Sequence, residues 1–184
     1  GTLIINKKGE FLEDVTLADT IGGWISHLFE YITGALKDVT FEVYALEDIK
    51  AADGESEDYY KKDELIATIT TDETGIAKLS DLPLGRYYVK EKETAEGYVL
   101  DGEIREIDLT YVDQDTAEVT WNGDWQNNRQ KVEVSVLKKE KDTDRVLKGA
   151  VFALSAKDDI TNRDGDVVLE AGTVIEEKAT GEDG

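Results

Sequence analysis

Apolar residues recur at every second position along most of this chain. Leu3 and Ile5, then Val39, Phe41 and Val43, then Val132, Val134 and Val136, then Val151 and Ala153 each put apolar side chains on one face and polar ones on the other. That is the signature of antiparallel strands with one buried face. Asp-Gly at 53–54, 101–102 and 164–165 and Asn-Gly at 122–123 punctuate these runs at short spacing. The pattern predicts an all-β sandwich. One stretch breaks the alternation. Between Ala18 and Ile32, the apolar Ile21, Trp24, Ile25, Leu28, Phe29 and Ile32 recur at helical spacing, with Asp19 placed as a cap. This predicts one amphipathic helix inserted in a long loop between two strands. Its polar face is not basic, so it is expected to cover the open side of a sheet rather than to seek a membrane surface. His27 falls on that polar side and is expected to face solvent.

The chain also repeats itself. Leu36-Lys37-Asp38-Val39-Thr40-Phe41 matches Leu147-Lys148-Gly149-Ala150-Val151-Phe152 at a shift of 111, and Glu47-Asp48-Ile49 matches Asp158-Asp159-Ile160. Thr71-Asp72-Glu73-Thr74-Gly75 matches Thr180-Gly181-Glu182-Asp183-Gly184 at a shift of 109. Two copies of one module are therefore expected, a complete one over residues 1–130 and the N-terminal part of a second over residues 131–184.

Composition narrows the function. The 184 residues carry 21 Lys+Arg against 42 Asp+Glu, a net charge of −21. Such acidity argues against nucleic acid, whose phosphates need neutralising, and against electrostatic docking on an anionic membrane. With 40% hydrophobic residues, eight Tyr, three Trp and four Phe, the chain reads as folded rather than as a solvating acidic tail. It has no Cys and a single His, which excludes disulfides, thiolate nucleophiles, Cys-ligated zinc and any arrangement of two histidines. The acidic run Glu55-Ser56-Glu57-Asp58 and the pairs Asp158-Asp159 and Asp164/Asp166 lack the spacing of a calcium loop and read as solvated charge. No cofactor and no metal are expected. The sequence has no Met and starts at Gly1, so it reads as a piece of a longer protein, with no signal peptide or membrane-length apolar run.

One segment carries a family likeness. Asp81-Leu82-Pro83-Leu84-Gly85-Arg86-Tyr87-Tyr88-Val89-Lys90-Glu91, closing at Glu96-Gly97-Tyr98, resembles the E-box of Cna B-type domains. These are also called SpaA-like or prealbumin-like domains, and they build the stalks of Gram-positive surface adhesins and pilins. Ala95 stands where the family commonly has Pro. Lys138, Thr143 and residues 147–152 resemble the family's opening and second strands, and Asn127-Asn128-Arg129-Gln130 resembles its closing strand. The resemblance implies an immunoglobulin-like, prealbumin-like antiparallel β-sandwich with the helical insert, followed by a partial second copy. Leu82-Pro83-Leu84-Gly85-Arg86 is superficially similar to a sortase signal, but Gly stands for Thr and no hydrophobic tail follows.

The resemblance further implies chemistry. In that family an autocatalytic isopeptide bond joins a Lys on the first strand to an Asn on the last, promoted by the E-box Glu. Carried onto this sequence, these are Lys7, Asn127 (with Asn128 as fallback) and Glu91, and Lys138 is the corresponding lysine of the second copy, without a partner in this chain. Lys7 shares the face of Leu3 and Ile5, so its stem is expected to enter the core, whereas Lys8 points outward. An ammonium in an apolar core tends to neutralise, giving an amine with a free lone pair, and burial favours the protonated form of a carboxyl group. The amine can then attack the carboxamide carbon, ammonia leaves, and the Glu shuttles protons, first polarising the Asn carbonyl oxygen. The groups react once and are consumed, so no enzyme is expected.

The function implied is a structural or adhesive stalk segment, extracellular and cell-wall anchored, with signal peptide and anchor outside this sequence. Its partners would be neighbouring modules of the same chain. The competing expectation is an adhesin module that binds a host matrix protein such as collagen or fibrinogen, or a glycan. Trp121, Trp125, Tyr59 and Tyr60 could stack on such a ligand, but core or edge packing is the plainer expectation for them.

Overall fold

The computed structural model describes residues 1–18 and 22–184. In chain order its strands are β1 (Thr2–Leu17), β2 (His27–Ala35), β3 (Thr40–Ala45), β4 (Leu65–Thr70), β5 (Ile76–Leu79), β6 (Gly85–Glu93), β7 (Ile104–Leu109), β8 (Thr120–Asn127), β9 (Val151–Ser155), β10 (Ile160–Thr161), β11 (Val167–Leu169) and β12 (Val174–Ala179). The chain divides into two compact units, one formed by Gly1–Glu10 with Thr33–Gln130 and the other by Phe11–Ile32 with Lys131–Gly184.

Two sheets form the first unit. In one, the opening residues of β1 lie between β5 and β8. The β5 pairing is antiparallel, with Leu3 opposite Leu79 and Ile5 opposite Ala77. The β8 pairing is parallel, with Leu3 opposite Trp121, Lys7 opposite Trp125 and Gly9 opposite Asn127. The other sheet runs β4-β3-β6-β7 and is antiparallel throughout. Alternation decides which side chains meet. Leu3, Ile5, Phe41, Val43, Tyr87, Val89 and Trp125 come from the inward faces of both sheets and are essentially fully buried. Face-to-face sheets bury such residues as one shared layer.

The second unit corrects the sequence expectation. Among the described residues there is no helix. The segment expected to be an amphipathic helix ends instead in β2, and β2 is hydrogen-bonded to β1. The expected cap Asp19, with Ile21, lies outside the described residues. Gly22 and Gly23 both take positive φ, 84° and 83°, and each would cost a helix about 1 kcal/mol. Along β2, His27, Phe29 and Tyr31 are half-buried while Leu28, Glu30 and Ile32 are exposed, so burial follows period two. Trp, Phe, Tyr, Ile and Thr supply seven of the fifteen residues 18–32, and such residues fit a pleated surface better than a helix. Leu12 and Val15 of β1 and Phe29 of β2 pack with Ala156, Ile160, Val168, Leu169 and Ile175 in one apolar cluster. Backbone bonds tie this hairpin down as well. Ser26 bridges Glu176, and the Glu177 N–H donates to Ile25 O at 2.8 Å. His27 is not simply solvent-facing, because its Nδ1 lies 3.2 Å from Ile175 O.

A second expectation also fails. Val132, Val134 and Val136 belong to no strand. They are 88%, 64% and 51% exposed, and with Phe152 and Leu154 they line an open groove of about 500 Å³. Alternation makes a strand only where a neighbour completes the hydrogen-bond ladder.

The internal repeat recurs as matching hydrogen bonds. Thr71 Oγ1 accepts from Val39 N–H at 3.0 Å and donates to Leu36 O at 2.9 Å. Thr180 Oγ1 accepts from Ala150 N–H at 3.0 Å and donates to Leu147 O at 2.5 Å. Lys7 N–H donates to Gly75 O at 2.7 Å, and Lys138 N–H donates to Gly184 O at 2.8 Å. Leu36 N–H reaches Lys7 O, and Leu147 N–H reaches Lys138 O. Asp38 and Gly149, 111 residues apart, both take positive φ, 59° and 79°.

Val15→Asp puts a carboxylate among Leu12, Phe29 and Leu169, a burial that costs several kcal/mol. Hydrogen exchange should show about tenfold or greater loss of amide protection in β9 and β12, with β3 and β6 unchanged. Unchanged protection in β9 and β12 would show that the hairpin contributes little to that unit.

Candidate functional site

Lys7, Glu91 and Asn127 come together in the core of the first unit, although 84 and 120 residues separate Lys7 from the other two. Strand register makes the meeting. Lys7 lies opposite Trp125 on the neighbouring parallel strand, so Asn127 is two residues further along the same face. Long side chains reach across that diagonal. Glu91 is the inward residue of β6 that follows Tyr87 and Val89, and it enters from the other sheet. Lys7 and Asn127 are each 1% exposed and Glu91 5%.

Every polar atom of the carboxylate and the carboxamide has a partner. Lys7 Nζ donates to Glu91 Oε2 at 2.7 Å and to Asn127 Oδ1 at 2.6 Å. Asn127 Nδ2 donates to Glu91 Oε1 at 2.6 Å and to Thr94 Oγ1 at 2.7 Å. Glu91 therefore presents one oxygen to the amine and the other to the amide nitrogen. This differs from the expected arrangement, in which the Glu faces the Asn carbonyl oxygen; here the amine occupies that place.

Apolar walls close the site. The Phe41 ring lies 5.6 Å from Lys7 Nζ and 5.4 Å from the Trp125 ring. The Arg105 guanidinium stacks on Trp125 at 4.1 Å and seals its outer side. Burial pushes the Lys7 ammonium below the usual lysine range, and the hydrogen bond and charge of Glu91 offset this only in part. The amine thus has reduced proton affinity and lies 2.6 Å from the carboxamide oxygen of Asn127, and an amine that has lost its proton can attack a carboxamide carbon.

Other sequence candidates lie elsewhere. Lys8 is half-exposed and 3.8 Å from Asp124. Asn128 is exposed, and its carbonyl oxygen accepts from Val99 N–H. Lys138 is exposed. Trp125 is 1% exposed and Trp121 packs edge-on against it at 6.0 Å, whereas Tyr59 is 52% exposed. Among the described residues, no group of three or more His, Asp or Glu side chains is placed to hold a metal ion.

Two contributors have no signal in the motif. Thr94 follows β6 as an ordinary loop threonine, and only the fold carries it to Asn127. Gly9 sits opposite Asn127 because the Tyr98 ring crosses β1 there. An added Cβ at Gly9 would lie 2.6 Å from that ring, while Tyr98 Oη donates to Glu10 O at 2.8 Å. A glycine inside a strand is a recognised mark of close approach.

The family model for SpaA, a prealbumin-like fold domain, matches residues 31–125. That span is just over half of the chain, and it contains Glu91 but neither Lys7 nor Asn127. The TIE protein of Bacillus anthracis is 25% identical, with a TM-score of 0.55 over 100% of this chain and 25% of that one. GBS52, the minor pilin of Streptococcus agalactiae, is 18% identical with a TM-score of 0.44, over 74% of this chain and 47% of that one. BcpA, the major pilin subunit of Bacillus cereus, is 19% identical with a TM-score of 0.41, over 71% and 29%. The chain thus spans a quarter to about half the length of these structures. No curated protein matches it by sequence.

The crossing at Gly9 gives a measurable expectation. Gly9→Ala should destabilise the first unit by about 1–3 kcal/mol, because the Tyr98 ring must give way. Thermal unfolding reads this, and a variant as stable as the parent would show that Tyr98 moves aside freely.

Proposed function

The chain belongs to the SpaA family of prealbumin-like fold domains, and from that membership we propose a structural role, as a stalk segment of a Gram-positive cell-surface protein. In this proposal the first unit is closed by an amide bond between Lys7 Nζ and Asn127 Cγ, promoted by Glu91. The observation that carries it is the enclosed triad, in which one carboxyl group touches both the attacking and the departing nitrogen.

The step balances on these residues alone. The proton shared by Lys7 and Glu91 first rests on the carboxyl, leaving a neutral amine. Nζ attacks Cγ of Asn127 and a tetrahedral centre forms. Glu91 gives its proton to Nδ2 through Oε1, the Cγ–Nδ2 bond breaks, and ammonia departs. Glu91 recovers a proton from Nζ through Oε2 and is left as the neutral acid, the proton that Lys7 first carried having stayed in the site. Enclosure supplies the rate, because a fixed pair reacts at an effective concentration far beyond solution values. The lysine and asparagine are consumed in one event, which makes this a maturation step and not turnover.

Mechanical function follows from where the bond lies. β1 and β8 are neighbouring parallel strands near the two ends of the first unit. A covalent tie between them takes a pulling load before the sheets shear. It also encloses residues 8–126 in a loop, and by analogy with a disulfide such a tie stabilises by about 4–5 kcal/mol. An extracellular, wall-attached location and association with further modules of its own chain are parts of the same proposal.

Intact mass tests the bond. The purified chain should weigh about 17 Da less than its sequence, the loss of one ammonia, and Glu91→Gln should keep the full mass because it cannot relay the proton. Full mass in the parent chain would defeat the proposal.

A further inference from the structure

Resting on the cross-linking reading, we propose that Thr94 is a positioning residue for the reaction, through its hold on the leaving nitrogen of Asn127. A carboxamide can present either edge to Glu91. Asn127 has two N–H groups, and both are engaged, one by Glu91 Oε1 at 2.6 Å and the other by Thr94 Oγ1 at 2.7 Å. Its Oδ1 is left for the Lys7 amine at 2.6 Å. Thr94 Oγ1, as an acceptor for the second N–H, therefore reinforces with Lys7 and Glu91 the orientation in which the nitrogen that must depart lies against the group that protonates it.

Without that hydroxyl, one N–H of Asn127 loses its partner in a site from which water is largely excluded, and this costs free energy. Turning the carboxamide over becomes competitive once the proton has passed from Lys7 to Glu91, because Nδ2 can then donate to the neutral amine and Oδ1 accept from the acid. It would place Oδ1 against Glu91 and carry Nδ2 to the Lys7 side, away from its proton donor. The attack at Cγ remains open in that orientation, but the departure of ammonia loses its acid. Thr94 Oγ1 bonds the Asn127 nitrogen, so its role is exerted on Asn127. It stands three residues beyond Glu91, where β6 has ended and the chain turns towards Gly97 and Tyr98. A change in the length of that turn would withdraw it.

The experiment follows cross-linking in time, with cell-free synthesis of the full chain, acid quenching and intact mass. Thr94→Ser keeps the oxygen and should lose about 17 Da at the parent rate. Thr94→Val keeps the shape and should lose it about tenfold more slowly. Equal rates for Thr94→Val and the parent would overturn the role of Thr94 and leave the bond reading intact. A parent chain that never loses the mass would overturn both. If Thr94→Val does not fold, the parent site still decides the question. In a Lys7→Ala chain, nuclear magnetic resonance should show the Asn127 side-chain amide slow to exchange and in contact with the Thr94 methyl group. A freely exchanging amide would refute the proposal.

Discussion

The first unit is organised around a lysine placed where water cannot reach it. Lys7 occupies an inward position of β1 between Leu3, Ile5 and the rings of Phe41 and Trp125. An isolated charge there would cost many kcal/mol, so the site must either neutralise or pair it. Glu91 and Asn127 do the pairing, and burial lowers the proton affinity of the amine at the same time. A buried ion pair is poor evidence for stability as such, because an apolar replacement often serves as well. The proposed amide bond gives the arrangement a different rationale, since it converts a costly buried charge into a neutral covalent tie.

That lysine constrains its neighbours. The parallel pairing of β1 with β8 puts Asn127 on the diagonal from Lys7, and a slip of one residue would turn its side chain to solvent. Gly9 allows the Tyr98 ring to cross β1, so the end of the E-box is fastened beside the triad. Gly75 takes positive φ and lies against the Lys7 carbonyl, where a Cβ would approach to 2.5 Å. The same backbone bonds surround Lys138. Lys138 thus has the main-chain setting of Lys7 while its side chain remains exposed.

Much of this was legible in the sequence because period two is a direct consequence of the pleat. Leu3, Ile5 and Lys7 read as one face, as did Phe41 and Val43, and both faces lie in the core. The repeat was legible too, since Thr71 and Thr180 fill the same local role. The stretch before Ile32 was misread as a helix because Trp24, Leu28 and Ile32 satisfy a spacing of four, which is also an even number and keeps one face of a strand. Only the neighbouring β1 and the apolar residues 156–175 decide between the two, and those contacts are long-range. Val132, Val134 and Val136 show the converse, since alternation without a neighbouring strand leaves them exposed. Thr94 was invisible for a similar reason, because a lone threonine acquires its role only when β8 arrives beside it.

In the proposed cross-link the Lys7 amine and the Asn127 carboxamide become one group. Tryptic peptide mapping with fragmentation tests this most directly. A bond at Lys7 blocks cleavage there, so the account predicts a branched peptide joining residues 1–8 to residues 106–129, with the branch point at Asn127 rather than Asn128. Recovery of residues 1–7 and 106–129 as separate linear peptides would contradict it.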